Sequence, residues 1–113
     1  MKAAMVTTFG QAFPGREKAA VKYSHEVEEF FTKKAAEGMF TEPKTFFAPT
    51  GKSFWFIEGE YDALVKLLAT PETEKFLTIG KLLFQDFGYG LYVTDYEEMM
   101  RRYEWALREL ELS

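Results

Sequence analysis

Ser53-Phe54-Trp55-Phe56-Ile57 is the stretch on which the fold turns. It is aromatic and β-branched, holds neither Gly nor Pro, and therefore favours a strand. Successive side chains of a strand point to opposite faces, so Phe54 and Phe56 share one side and Trp55 and Ile57 the other. Both sides are apolar. A sheet built on this strand is expected to need a cover on each face.

Just before it, Pro49-Thr50-Gly51-Lys52 is a turn signal. Residues 39–48, with Phe40, Phe46 and Phe47, then read as the partner strand of an antiparallel hairpin. Pro43 cannot donate to a ladder, which predicts an edge strand or a bulge there. After Gly59, residues 60–69 form a short amphipathic helix with Leu64, Leu67 and Leu68 apolar. Thr70 as N-cap and Pro71 at the first helical position start a second helical piece, with Glu72 and Glu74 in its positive first turn. Residues 82–93 read as a strand containing Gly88 and Gly90, with Phe87, Tyr89, Leu91 and Val93 on one face and Leu82, Phe84 and Tyr92 on the other. Thr94-Asp95-Tyr96-Glu97 has capping-box spacing and opens a terminal helix. Met99, Met100, Tyr103, Ala106, Leu107 and Leu110 recur along it at helical steps.

On the N-terminal side, residues 2–9 read as a strand and Gly10 to Gly15 as a loop. Residues 16–37 read as a long helix whose apolar stripe includes Ala20, Tyr23, Val27, Phe30 and Phe31, with Gly38 as its stop. The order β-α-β-β-α-β plus a terminal helix is the ferredoxin-like α+β arrangement, here one domain over residues 1–113. Two right-handed crossovers place both helices on one face of a four-stranded antiparallel sheet.

That leaves the other face, with several large side chains, uncovered. Each one buried contributes roughly 1.5–3 kcal/mol, and an exposed patch of this kind exceeds what soluble monomers usually show. The expectation is a homodimer through the open sheet face. Its rival is a monomer in which the terminal helix folds back over that face.

Composition narrows the chemistry. The chain has 113 residues, 28% charged and 47% hydrophobic, an ordinary folded composition. A net charge of −4 argues against nucleic acid as partner. Without Cys, disulfides and thiol nucleophiles are excluded, and one His excludes a multi-His metal site within the chain. No metal and no cofactor are expected. No segment has the length of a membrane span or the apolar core of a leader, so a cytoplasmic protein without a membrane partner is expected.

The segment Phe13-Pro14-Gly15-Arg16-Glu17-Lys18, the helix exit Glu37-Gly38-Met39 and the strand end Phe54-Trp55-Phe56-Ile57-Glu58-Gly59 resemble the dimeric α/β-barrel superfamily. That group includes antibiotic-biosynthesis-type monooxygenases and small bacterial proteins of unassigned function. The resemblance covers residues 2–93. It implies the ferredoxin-like fold, the homodimer as a dimeric α/β barrel, and a cavity between helices and sheet. The Asn-Trp-His set used by some oxygenases of the superfamily has no counterpart, because this chain contains no Asn.

His25 and Asp86 are the candidate catalytic residues. His25 is the one side chain that ordinarily titrates near neutrality, and it lies beside the apolar stripe of its helix. A solvated rim position is its rival reading. Asp86, among apolar neighbours, is a candidate base, against an edge-strand charge that discourages aggregation. Tyr23, Phe31, Trp55 and Tyr89 are the candidate lining of a pocket for a small apolar or aromatic molecule, against plain packing. The chain is rich in such groups, with 12 Phe, 6 Tyr and 2 Trp, and so many rings are hard to pack without a gap. Three functions stay open: binding of a small molecule, a cofactor-independent monooxygenase or isomerase, and an interaction module without a pocket.

Overall fold

The structure is a computed structural model that describes residues 1–110. The elements run β1 (Lys2–Phe9), α1 (Glu17–Ala35), β2 (Lys44–Phe46), β3 (Ser53–Glu60), α2 (Tyr61–Leu68), α3 (Pro71–Leu83), β4 (Gly88–Val93) and α4 (Tyr96–Glu109). The strands form one antiparallel sheet in the order β2-β3-β1-β4. This is the expected ferredoxin-like topology with an added C-terminal helix.

Register assigns every strand residue a face. Met5 lies opposite Ile57 and Leu91, and Thr7 lies opposite Trp55 and Tyr89. With Ala3, these residues form the side on which the helices pack. Val27 and Phe31 from α1 and Leu64 and Leu67 from α2 close the core over Ala3, Met5 and Ile57. The alternation read from Phe54 to Ile57 is the one observed.

Three boundaries differ from the sequence reading. The strand expected over 82–93 begins only at Gly88, because α3 continues to Leu83. Leu82, Leu83 and Phe84 are a short apolar run, and such a run suits a helix end as well as a strand. Asp86 is therefore not inside a strand. It stands in the turn that follows, exposed, with φ of 52°, a left-handed conformation that Asp tolerates better than most residues. The strand expected over 39–48 shrinks to three residues at the sheet edge, where Pro43 precludes a longer ladder. Phe40 keeps only an isolated bridge to Gly59. Finally, the terminal helix is capped one residue later than the spacing suggests. The Asp95 side chain accepts from the Glu98 N–H at 3.0 Å, while Thr94 bonds to the Lys2 carbonyl. Thr70 caps α3 as expected, with Pro71 at its first position.

The second face of the sheet carries Val6, Phe46, Phe54, Phe56 and Tyr92. Phe54 is 38% exposed, Phe46 44% and Tyr92 59%. The rings of Phe46 and Phe54 stack at 5.1 Å. The terminal helix does not fold back over them: no residue of α4 is buried, and Tyr96, Tyr103, Trp105 and Leu110 are exposed. The Cα radius of gyration is 16.7 Å, against about 13 Å for a compact domain of this size.

Within the core, the Thr7 hydroxyl is wholly buried and has no hydrogen-bond partner. Such a group costs about 1–3 kcal/mol of desolvation. Thr7→Val keeps the shape and removes the cost. It should raise the stability by about 1 kcal/mol, read as a higher urea midpoint at unchanged slope. A lower midpoint would show that the hydroxyl has a partner in solution.

Candidate functional site

The helix-covered face of the sheet is incomplete at one end. A cavity of about 70 Å³ lies there between α1, the sheet and the chain segments on either side of it. Its floor is Phe9, the last residue of β1, and Trp55 of β3. Tyr23, Ser24, Val27 and Glu28 face it from α1, at the steps of four that put residues on one side of a helix. Pro43, Thr45 and Phe47 form a wall, and Phe84 and Phe87 close it from the segment after α3.

The last two rings arrive through backbone pairing far apart in sequence. Phe13 N–H donates to the Leu83 carbonyl at 2.9 Å, Gln85 N–H to the Gln11 carbonyl at 2.9 Å, and Gly10 N–H to the Gln85 carbonyl at 2.8 Å. Phe84 bridges to Ala12 in the same zipper. A Cβ on Gly10 would lie 2.9 Å from the Gln85 carbonyl oxygen, so the close approach needs a glycine. Gly80 of α3 serves the same purpose on the other side. A Cβ there would collide with the Phe87 ring and come within 2.8 Å of the Tyr23 hydroxyl.

The rings brace one another. Phe9 lies 5.2 Å from Phe84 and 6.4 Å from Phe47, and Tyr23 lies 5.9 Å from Phe84. These are spacings at which aromatic pairs attract. The Tyr23 hydroxyl donates to the Phe76 carbonyl at 2.6 Å, and burial raises its pKa above the ordinary phenol value. The phenol is therefore neutral at physiological pH and its proton is engaged. Tyr23 contributes a ring to the cavity and no acid.

Of the expected ligand-binding set, the structure brings Tyr23 and Trp55 to the cavity. Phe31 stands behind it, 1% exposed, its ring 5.0 Å from that of Trp55. Tyr89 lines a different hollow with Leu77 and Lys81, whose ammonium lies 6.0 Å from its ring centroid. His25 is exposed on α1, in an open hollow with Glu28, Glu29, Thr32 and Lys33. Neither His25 nor Asp86 lines the aromatic cavity. Arg101 and Arg102 both pair with Glu98 on the surface of α4. Among the described residues no cluster of three His, Asp or Glu is placed to hold a metal ion, and no helix is long and apolar enough to cross a membrane.

Phe9, Phe47, Phe84, Phe87 and Glu28 are lining residues that sequence reasoning missed. Strand periodicity claims Phe84 and Phe87, and Glu28 looks like any charge on a solvated helix face. Gly80, a glycine inside a helix, marks a close approach, and in the structure Phe87 and Tyr23 lie against it.

No family model matches the chain, and neither does any curated protein. Among solved structures, the crystal structure of SnoaB is similar. SnoaB is a cofactor-independent oxygenase from Streptomyces nogalater, and that structure is of an asparagine-to-alanine mutant. The TM-score is 0.63 and the identity 14%, over 83% of this chain and 93% of that one. The likeness is one of fold. It supports the ferredoxin-like fold expected from the sequence.

Proposed function

We propose that this chain is a homodimeric, single-domain α/β-barrel protein that binds a small apolar or aromatic molecule between α1 and the sheet. The observation that carries the reading is the cavity lining, where six of eleven residues are aromatic. Pockets for small molecules combine apolar walls with a few polar groups in this way. The volume limits the occupant. An apolar cavity of about 150 Å³ takes a benzene, and this one is about 70 Å³. It is less than half that size, so it takes the edge of a ring or a compact branched head group, with the rest of the molecule outside. Phe31 acts from behind by fixing Trp55.

Trp55 makes the reading testable by fluorescence once exposed Trp105 is replaced by Phe. Phenol and p-cresol should change Trp55 emission saturably. Ser24→Phe places a ring in the cavity from a residue outside the core, and it should abolish that change at unchanged circular dichroism. The absence of a saturable change in the unblocked protein would sink the reading.

A second reading, a cofactor-independent oxygenase, is favoured by the likeness to SnoaB. In it, His25 or Asp86 acts as base toward a substrate that reaches outside the cavity, since neither residue lines it. Turnover of an aromatic substrate that survives both His25→Ala and Asp86→Ala would remove these two from the mechanism.

A further inference from the structure

We infer that the group received by the aromatic cavity is a small ammonium-type cation, held by the ring faces and by Glu28 at the rim; this rests on the binding reading above. Aromatic faces carry negative quadrupole charge and attract cations within about 6 Å of the ring centre. The chain uses this attraction on its surface. Arg16 lies over Phe13, Lys34 over Phe30, Lys44 over Phe46 and Lys81 over Tyr89, at 5.3–6.0 Å. Among the described residues, no cation of the chain lies over any of the six cavity rings.

The charge of the lining points the same way. Glu28 is the one charged residue among those that line the cavity, and no Lys or Arg is among them. Glu29, the next residue, is paired with Lys33 at 2.9 Å. Glu28 has no ion pair among the described residues. A carboxylate or phosphate ligand would meet this negative charge with no Lys or Arg in the lining to offset it. A methylated ammonium meets π faces on its walls, a carboxylate at the rim, and a space of the right scale. Its weak hydration lowers the cost of entering an apolar site.

The test compares probes of equal shape and different charge in the Trp105→Phe protein, read by Trp55 emission. Choline and benzyltrimethylammonium are titrated against 3,3-dimethylbutan-1-ol, the neutral isostere of choline, and against benzoate. The expected result is a cation bound about tenfold more tightly than its isostere, benzoate weakest, and a loss of about tenfold for the cations in Glu28→Gln with the isostere unchanged. Equal affinities for choline and the isostere, or an unchanged cation affinity in Glu28→Gln, would overturn the inference and leave the apolar binding reading standing. If no probe, neutral or charged, binds the folded protein, both fall together.

Discussion

Phe54→Asp should leave a protein that sediments as a single chain at concentrations where the parent sediments as two. Phe54 stands on the open face of the sheet, opposite Thr8 and stacked on Phe46, and it takes no part in the core beneath α1 and α2. In the proposed dimer, Phe54, Phe46, Phe56 and Tyr92 meet the same residues of a second copy. A carboxylate placed there must leave water without a partner, at a cost of several kcal/mol per ion. The twofold axis applies that cost twice and brings two like charges together. In the isolated chain the same carboxylate faces solvent, so secondary structure and the single-chain fold should be unchanged. Sedimentation velocity across a hundredfold concentration range reads both states. A parent protein that stays single throughout would remove the face-to-face assembly, and the uncovered rings would then require another partner.

The second large effect is on stability. Phe31→Ala should cost about 3–5 kcal/mol, out of a total that for domains of this size is about 5–15 kcal/mol. Phe31 is 1% exposed, packs with Met5 and Ile57 in the core cluster, and lies 5.0 Å from both Phe30 and Trp55. Truncation removes the transfer energy of a full ring and leaves a void that the braced rings around it cannot collapse into. Thermal unfolding should move down by about 15–30 °C. Because the ring also supports Trp55, emission of the folded variant should shift to the red before any denaturant is added. A loss under 1 kcal/mol would mean that the α1 stripe is not seated on the sheet as described.

The elements themselves were legible because each obeys a local rule. Strand alternation from Phe54 to Ile57 separated the two sheet faces, and the register bears it out. The Thr70-Pro71 start of α3 and the Gly38 stop after α1, at φ of 85°, follow from capping and from the freedom of glycine. Where the local signal is ambiguous the boundaries differ from those it suggests. The Leu82-Leu83-Phe84 run fits two periods, and Asp95 competed with Thr94 for the same cap.

The site was less legible. Tyr23 and Trp55 could be named because helix and strand periodicity puts both rings on core-facing positions, but the same rule selects Phe31 and Tyr89, which do not line the cavity. Glu28 could not, because a carboxylate on a charged helix looks solvated until the aromatic walls beside it are known. Phe84 and Phe87 could not, because what brings them to the cavity is the pairing of residues 10–13 with residues 83–85.

The order of elements, the split of apolar residues between two sheet faces, and the surplus of apolar surface on the uncovered one are all legible in the chain itself. These depend on hydrophobic periodicity and turn chemistry, which act over a few residues. That α4 leaves its own sheet bare, that His25 and Asp86 stand apart from the aromatic cavity, and that Glu28 is its one charge emerge in the folded chain alone. Those are relations between distant segments, such as Gly10 and Gln85, set by backbone pairing and by whether a Cβ fits at Gly10 or Gly80, and no local pattern encodes them.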